Sequence, residues 1–159
     1  MNYAEIVKRC ILEEEAYQFS RFTQTDALHL GRLLYETGLE KFGKPVAAEI
    51  RINHLTVYRF LPEGTGRVQC LWLKAKADTV DALGISTYHL WADIAGGGLP
   101  LEDRRMDGKK YVAAGGGFPL HIKNSAVMGT ICISALTQEE DHQVVIGALG
   151  KYFKKQKKA

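Results

Sequence analysis

Apolar residues along this chain follow two rhythms, helical spacing in some stretches and strand-like runs in others. Over residues 3–15, Tyr3, Ile6, Val7, Cys10 and Ile11 share one stripe while Glu5, Lys8 and Arg9 lie off it, which predicts a helix. A second helix is predicted from near Thr25, capped by Thr25 or Thr23, with Asp26 near its positive end. Its inward face is Ala27, Leu28, Gly31, Leu34 and Tyr35; Gly38 and Gly43 loosen its end and Pro45 closes it. Residues 46–52 and 55–61 are β-like runs about an Asn53-His54 turn and read as an antiparallel hairpin. In the second run Leu55, Val57 and Phe60 alternate imperfectly with polar neighbours.

Helical spacing returns over residues 68–83, through Val68, Leu71, Trp72, Ala75, Thr79 and Leu83, and Gly84 breaks it. Ser86 caps a shorter helical piece through Trp91 and Ile94. Residues 96–107 are polar, with glycines and Pro100, and read as a surface loop. A second hairpin is predicted from residues 118–123 and 126–136, turning at Lys123-Asn124-Ser125. Thr137 and Glu140 then form a T-x-x-E capping box, and Val144, Val145, Ala148 and Leu149 make the buried face of the last helix. The order α-α-β-β-α-α-β-β-α implies an α+β protein, an antiparallel β-sheet flanked by helices, and not a doubly wound parallel sheet. No repeat or composition break divides residues 1–159, so a single domain is expected.

Composition narrows the function classes. With 46% hydrophobic and 25% charged residues the chain can bury an ordinary globular core, and its longest apolar runs are too short to cross a bilayer. The first residues form no signal-peptide apolar block, so a cytoplasmic location and no membrane partner are expected. The net charge of +3 is concentrated in a basic C-terminal tail, residues 151–159, with lysines at 151, 154, 155, 157 and 158. That tail reads as a solvated, fraying helix end, and no basic face interleaved with aromatics points to nucleic acid. Cys10, Cys70 and Cys132 are widely spaced without a C-x-x-C, so buried, reduced, inert thiols and no metal site are expected.

The candidate chemistry is sparse. Gly115, Gly116 and Gly117 precede Phe118-Pro119 and let a backbone pass close to something, either a pocket lined with amides or a tight lead into a strand. No Gly-Lys-Ser/Thr follows, so this is not a P-loop. Lys76, one turn after Trp72, can hold an anion if it faces that segment; Lys74 points elsewhere. Asp141-His142 sits in the first turn of the last helix, as a ligand or base, or as a pair tying the helix to a loop. His54, His89, His121, His142, Tyr111 and Met128 are possible axial groups for a haem iron, without diagnostic spacing. G-x-S-x-G and H-E-x-x-H are absent.

Several segments together resemble a known group: Glu14, Glu15, Phe19 and Phe22; Asp26 to Gly31; Trp72, Lys74, Lys76, Thr79 and Val80; and Ser86-Thr87-Tyr88. The resemblance continues through Tyr111, Gly115-Gly116, Phe118-Pro119, Gly129-Thr130, Ser134, Leu136 and Glu140-Asp141-His142. Over roughly residues 12–150 the chain is similar to the haem-degrading-domain superfamily of GlcG/HbpS-like proteins, and within it to an uncharacterised family of bacteria and yeast. Ala114 stands where many relatives carry His, and Ala75 and Ala77 stand where relatives carry more arginine.

The resemblance implies a profilin-like fold, haem as a possible cofactor, and a homo-oligomer. It raises a small-ligand-binding function, for haem or another anionic planar molecule, in a pocket between residues 72–80 and 115–119. There Lys76 would anchor the anion, the glycine amides would line the floor, and Tyr88 or Phe118 would stack. A non-catalytic oligomeric assembly or adaptor protein is the alternative. A third reading is an enzyme on a small metabolite with Lys76, Asp141 and His142 as acid–base groups.

Overall fold

Four antiparallel strands in the order β2-β1-β4-β3 form the middle layer: β1 Ala47–Ile52, β2 Leu55–Phe60, β3 Gly117–His121 and β4 Val127–Ser134. The computed structural model of the chain describes residues 1–158; Ala159, the end of the basic tail, lies outside them. Among the described residues five α-helices accompany the sheet: α1 Tyr3–Ala16, α2 Gln24–Phe42, α3 Arg67–Leu83, α4 Thr87–Ala95 and α5 Gln138–Lys158. The fold is α+β, as the order of patterns predicts.

Each hairpin forms where its turn chemistry allows. Asn53 and His54 both take positive φ, 51° and 68°, which suits the tight turn between β1 and β2. A register shift between Ile50 and Arg51 explains the imperfect alternation in β2. Of the apolar residues that alternate there, Leu55 and Phe60 are exposed. The two long pairings, β1 with β4 and β4 with β3, put Ala48, Ile50, Phe118, Ile131 and Ile133 on one face. That face packs on α2 and α5, through Leu30, Leu34, Val145 and Leu149. The opposite face presents Ala47 and Cys132 to Leu73 and Ala77 of α3. Both faces are covered, so β1 is buried on both sides and its one buried charge, Glu49, is paired.

The helix ends follow their caps. Thr23 and Asp26 form a reciprocal capping box at the start of α2, and Gly43 closes it in the left-handed conformation. Ser86 caps α4 through the amide of His89. Thr137 and Glu140 exchange the two bonds of the box ahead of α5. The expected tail is partly docked: Tyr152 is buried against Phe19 and Phe22, and Lys151 pairs with Glu40.

In α3 the buried stripe is not the one the largest apolar residues suggest. Leu73, Lys76, Ala77 and Val80 are buried, whereas Val68, Leu71 and Trp72 are exposed. The helix turns small residues and one lysine toward the sheet, and its bulky residues toward solvent. Glu49, buried in the same layer, is satisfied by Arg51 and Arg59, each with Nε 2.6 Å from a carboxylate oxygen.

Candidate functional site: a buried lysine beneath a hollow

Lys76 enters the protein because its stripe on α3 faces the sheet, so its four-carbon stem lies among apolar groups. Its side chain is only 3% exposed. The ammonium donates to the Ile133 carbonyl at 2.8 Å and to Asp141 Oδ2 at 3.1 Å. The other carboxylate oxygen of Asp141 accepts from the Leu136 amide at 3.1 Å, so the pair also fixes the turn into α5. Burial dominates Asp141 and pushes its carboxyl up from 3.8 to about 6, although Lys76 and the Leu136 amide pull the other way. Lys74, by contrast, is exposed and pairs with Asp78.

The glycine segment meets this lysine directly. A Cβ on Gly116 would lie 2.7 Å from Lys76 Nζ and 2.6 Å from the Ile133 carbonyl, and Gly116 has φ of 121°. A Cβ on Gly115 would collide with the Gln138 carbonyl. The segment is therefore glycine for close approach. Its amides are largely engaged: Gly115 N donates to Gln138 Oε1 at 3.2 Å and Gly117 N to Thr87 Oγ1 at 2.9 Å. This corrects the expectation of a floor of free amides. Gly117 begins β3, so the segment is also the tight lead into that strand.

Above the pair lies a hollow of about 310 Å³, lined among others by Trp72, Lys76, Ala114, Gly115, Gln138 and Asp141. Ala135, on its rim, holds φ of 144°, a region that only glycine visits easily. Such strain is retained where the surroundings over-determine the backbone, here between the end of β4 and the capped start of α5. A larger hollow of about 400 Å³ lies between α2 and α5, but its charged groups, Arg32, Glu36 and Lys155, are exposed. Exposed charges are already solvated, so the smaller hollow has the stronger chemistry.

The remaining predicted site residues lie elsewhere. Tyr88 is buried, stacked between Trp91 and His142, and does not line the hollow. Phe118 is buried in the core beneath α2 and α5. His142 leaves α5 on another side from Asp141 and bonds Glu13 Oε2 through Nε2 at 2.7 Å. Lys76, Asp141 and His142 thus do not converge as an acid–base trio. The other proposed iron ligands are also outside the hollow: His54 pairs with Asp81, His89 with Glu14, and His121 reaches the Ser125 carbonyl. Sequence reasoning missed Gln138 and Ser134 as lining residues; the capping box that starts α5 next to the glycine segment was the available signal.

A family model described as haem degrading protein HbpS-like matches residues 22–150. A UPF0303 protein of Streptomyces avermitilis is 31% identical over 141 residues, covering 88% of this chain and 86% of the relative. Among solved structures, the Ybr137w protein superposes with a TM-score of 0.84 at 24% identity, covering 94% of this chain and 88% of that one. A PduOC:Heme complex superposes with a TM-score of 0.68 at 23% identity, covering 81% of this chain and 93% of that one. At those identities the two structures establish a shared fold.

Proposed function

We propose that this chain, which belongs to the haem-degrading HbpS-like family, binds a small carboxylate-bearing ligand in the hollow below Trp72, with the Lys76 ammonium as counter-charge. The observation that carries this reading is a lysine buried to 3% exposure at the floor of an open hollow, beside a carboxyl pushed up to about 6. As Asp141 takes up a proton, Lys76 loses its partner, and a ligand carboxylate can replace it. A bound anion is then held by the lysine in a site of low dielectric, with the exposed face of Trp72 to cover a flat ligand.

Haem belongs to this class through its propionates. The hollow supplies a cation for a propionate, but among the described residues no His, Met, Cys or Tyr lines it to meet the iron. Ala114 lines it, at the position where the family resemblance sets a histidine. At about 310 Å³ the hollow is also at the small end of ligand sites, so it would hold the edge of a haem and not enclose it.

The test is titration of the purified chain with haemin, followed at the Soret band, and with citrate, followed by tryptophan fluorescence. We expect saturable binding that Lys76→Gln weakens by roughly tenfold or more, about 1.4 kcal/mol. Asp141→Asn should strengthen it at neutral pH, because the lysine is left without its own carboxylate. Saturation by citrate alone would restrict the ligand to smaller carboxylates, and Ala114→His should then add a histidine-ligated haem spectrum. Unsaturable responses to both probes, or equal affinity in Lys76→Gln, would overturn the proposal.

A homo-oligomer is the second reading, favoured by one feature beside the hollow. Val68, Leu71 and Trp72 form an exposed row at helical spacing on α3, which a second copy could cover. Light scattering should give a mass above 17.7 kDa that falls with Leu71→Glu; a monomer in both would end this reading. No helix among the described residues is long and apolar enough to cross a membrane.

A further inference from the structure

Cys10, Glu13 and His142 form a second constellation, separated from the lysine hollow by the body of α5. Cys10 and Glu13 lie one turn apart on α1, and His142 reaches them from the first turns of α5. Their ligand atoms, one thiol, one carboxylate and one imidazole nitrogen, all lie within 4.8 Å of one another. From this geometry we infer that the three side chains form a binding site for a divalent zinc-like metal ion, with the fourth coordination position open.

The donor set suits that ion. Zinc takes thiolate, imidazole and carboxylate at about 2.0–2.3 Å, and tetrahedral placement separates such donors by about 3.5 Å. The Glu13–His142 contact of 2.7 Å and the outer limit of 4.8 Å bracket that spacing, so small side-chain rotations suffice. Charge also balances: a thiolate and a carboxylate neutralise a dication, which a buried site requires.

Two further features support a ligand role. His142 is 2% exposed and its Nε2 meets Glu13 Oε2 at 2.7 Å, so the imidazole is already aimed at the donors of α1. The Tyr88 ring stacks on His142 at 4.8 Å between centroids and holds the imidazole in place.

Access comes from one side. Cys10 is fully buried, but Glu13 and His142 line a surface hollow of about 260 Å³, with Arg9, Lys41 and Gln143 at its rim. The ion would enter there, and the open position would face it with water. Burial pushes the Cys10 thiol up to about 12, so the free protein holds it protonated. Loading the ion breaks the S–H bond, forms the metal–sulfur bond and releases that proton to water. No electron transfer is involved. Cys10 and His142 are 132 residues apart and neither belongs to a ligand-spacing motif, so the chain's sequence carries no metal signature.

The test is cobalt substitution in the full chain after chelator treatment. Co²⁺ should saturate at one equivalent with a thiolate-to-cobalt charge-transfer band, and Zn²⁺ should displace it. Cys10→Ser should abolish the band and Cys70→Ser should retain it. Glu13→Gln, at a half-buried residue, should weaken Co²⁺ binding by roughly 10–100-fold or more. Lys74→Gln, at an exposed residue outside both sites, should leave the band unchanged. No thiolate band in the wild-type chain, a band that survives Cys10→Ser, or equal Co²⁺ affinity in Glu13→Gln would overturn the inference.

Discussion

Lys76→Met is expected to lower the stability of the fold by about 3–5 kcal/mol at pH 7–8, the usual consequence of removing one partner from a buried ion pair. The loss arises because Asp141, its side chain 3% exposed, keeps a charge with no cation beside it, while the Ile133 carbonyl loses its donor. The effect should depend on pH in a definite direction. In the wild-type chain the Asp141 carboxyl stands at about 6 when folded against an ordinary 3.8. Its folded-state value is raised, so this group's contribution is fully present below about 3.8 and is lost as pH rises through about 6. Without Lys76 the folded value rises further, since a stabilising cation has gone. The deficit of the variant should therefore be largest above pH 6 and shrink as pH falls below it, where a protonated Asp141 needs no cation. Urea unfolding of both proteins at pH 5 and pH 8 measures this. A deficit independent of pH would show that the lysine contributes packing and not charge.

Gly116→Ala is expected to damage both stability and binding, because the added methyl meets the ion pair itself. The added carbon would fall 2.6 Å from the Ile133 carbonyl and 2.7 Å from the Lys76 ammonium. The φ of 121° adds strain of about 1–3 kcal/mol for any residue with a side chain. The Ile133 carbonyl belongs to a central strand and cannot retreat, so the lysine must move and its two hydrogen bonds must lengthen. Thermal unfolding should show a lowered Tm, and the haemin or citrate titration should lose affinity together with stability. An alanine variant as stable as the wild type would mean that the bend is loose and that its closeness to Lys76 is not required.

Much of the fold was legible along the chain because its signals are local. The capping residues Thr23, Ser86 and Thr137 act on amides two or three positions away, and all three cap helices in the structure. The Asn53-His54 turn is legible for the same reason, since both residues tolerate positive φ. The inward face of α3 was misjudged because periodicity weighs large apolar residues. Val68, Leu71 and Trp72 are the larger set, yet the sheet accepts the smaller stripe of Leu73, Ala77 and Val80.

The candidate site divides along the same line. Lys76, Gly115 and Asp141 do meet at one hollow, with Gly116 packed against the ion pair behind it, whereas Tyr88, Phe118 and His142 do not line it. Tyr88 and Phe118 are aromatic residues next to matched motifs, but their rings are committed to His142 and Trp91 and to the core. Asp141 and His142 are neighbours in sequence, yet a helix advances about 100° per residue, so adjacent side chains serve different surfaces.

By itself, then, the amino-acid order determined the kinds of elements, their ends and their antiparallel arrangement, since caps, turns and apolar spacing act within a few residues. Only the tertiary structure decided that Lys76 is buried against Asp141, 65 positions away, and that Cys10 and Glu13 meet His142. Those encounters depend on which stripe of each helix the sheet accepts, a choice made by the fit of whole surfaces and not by any local pattern.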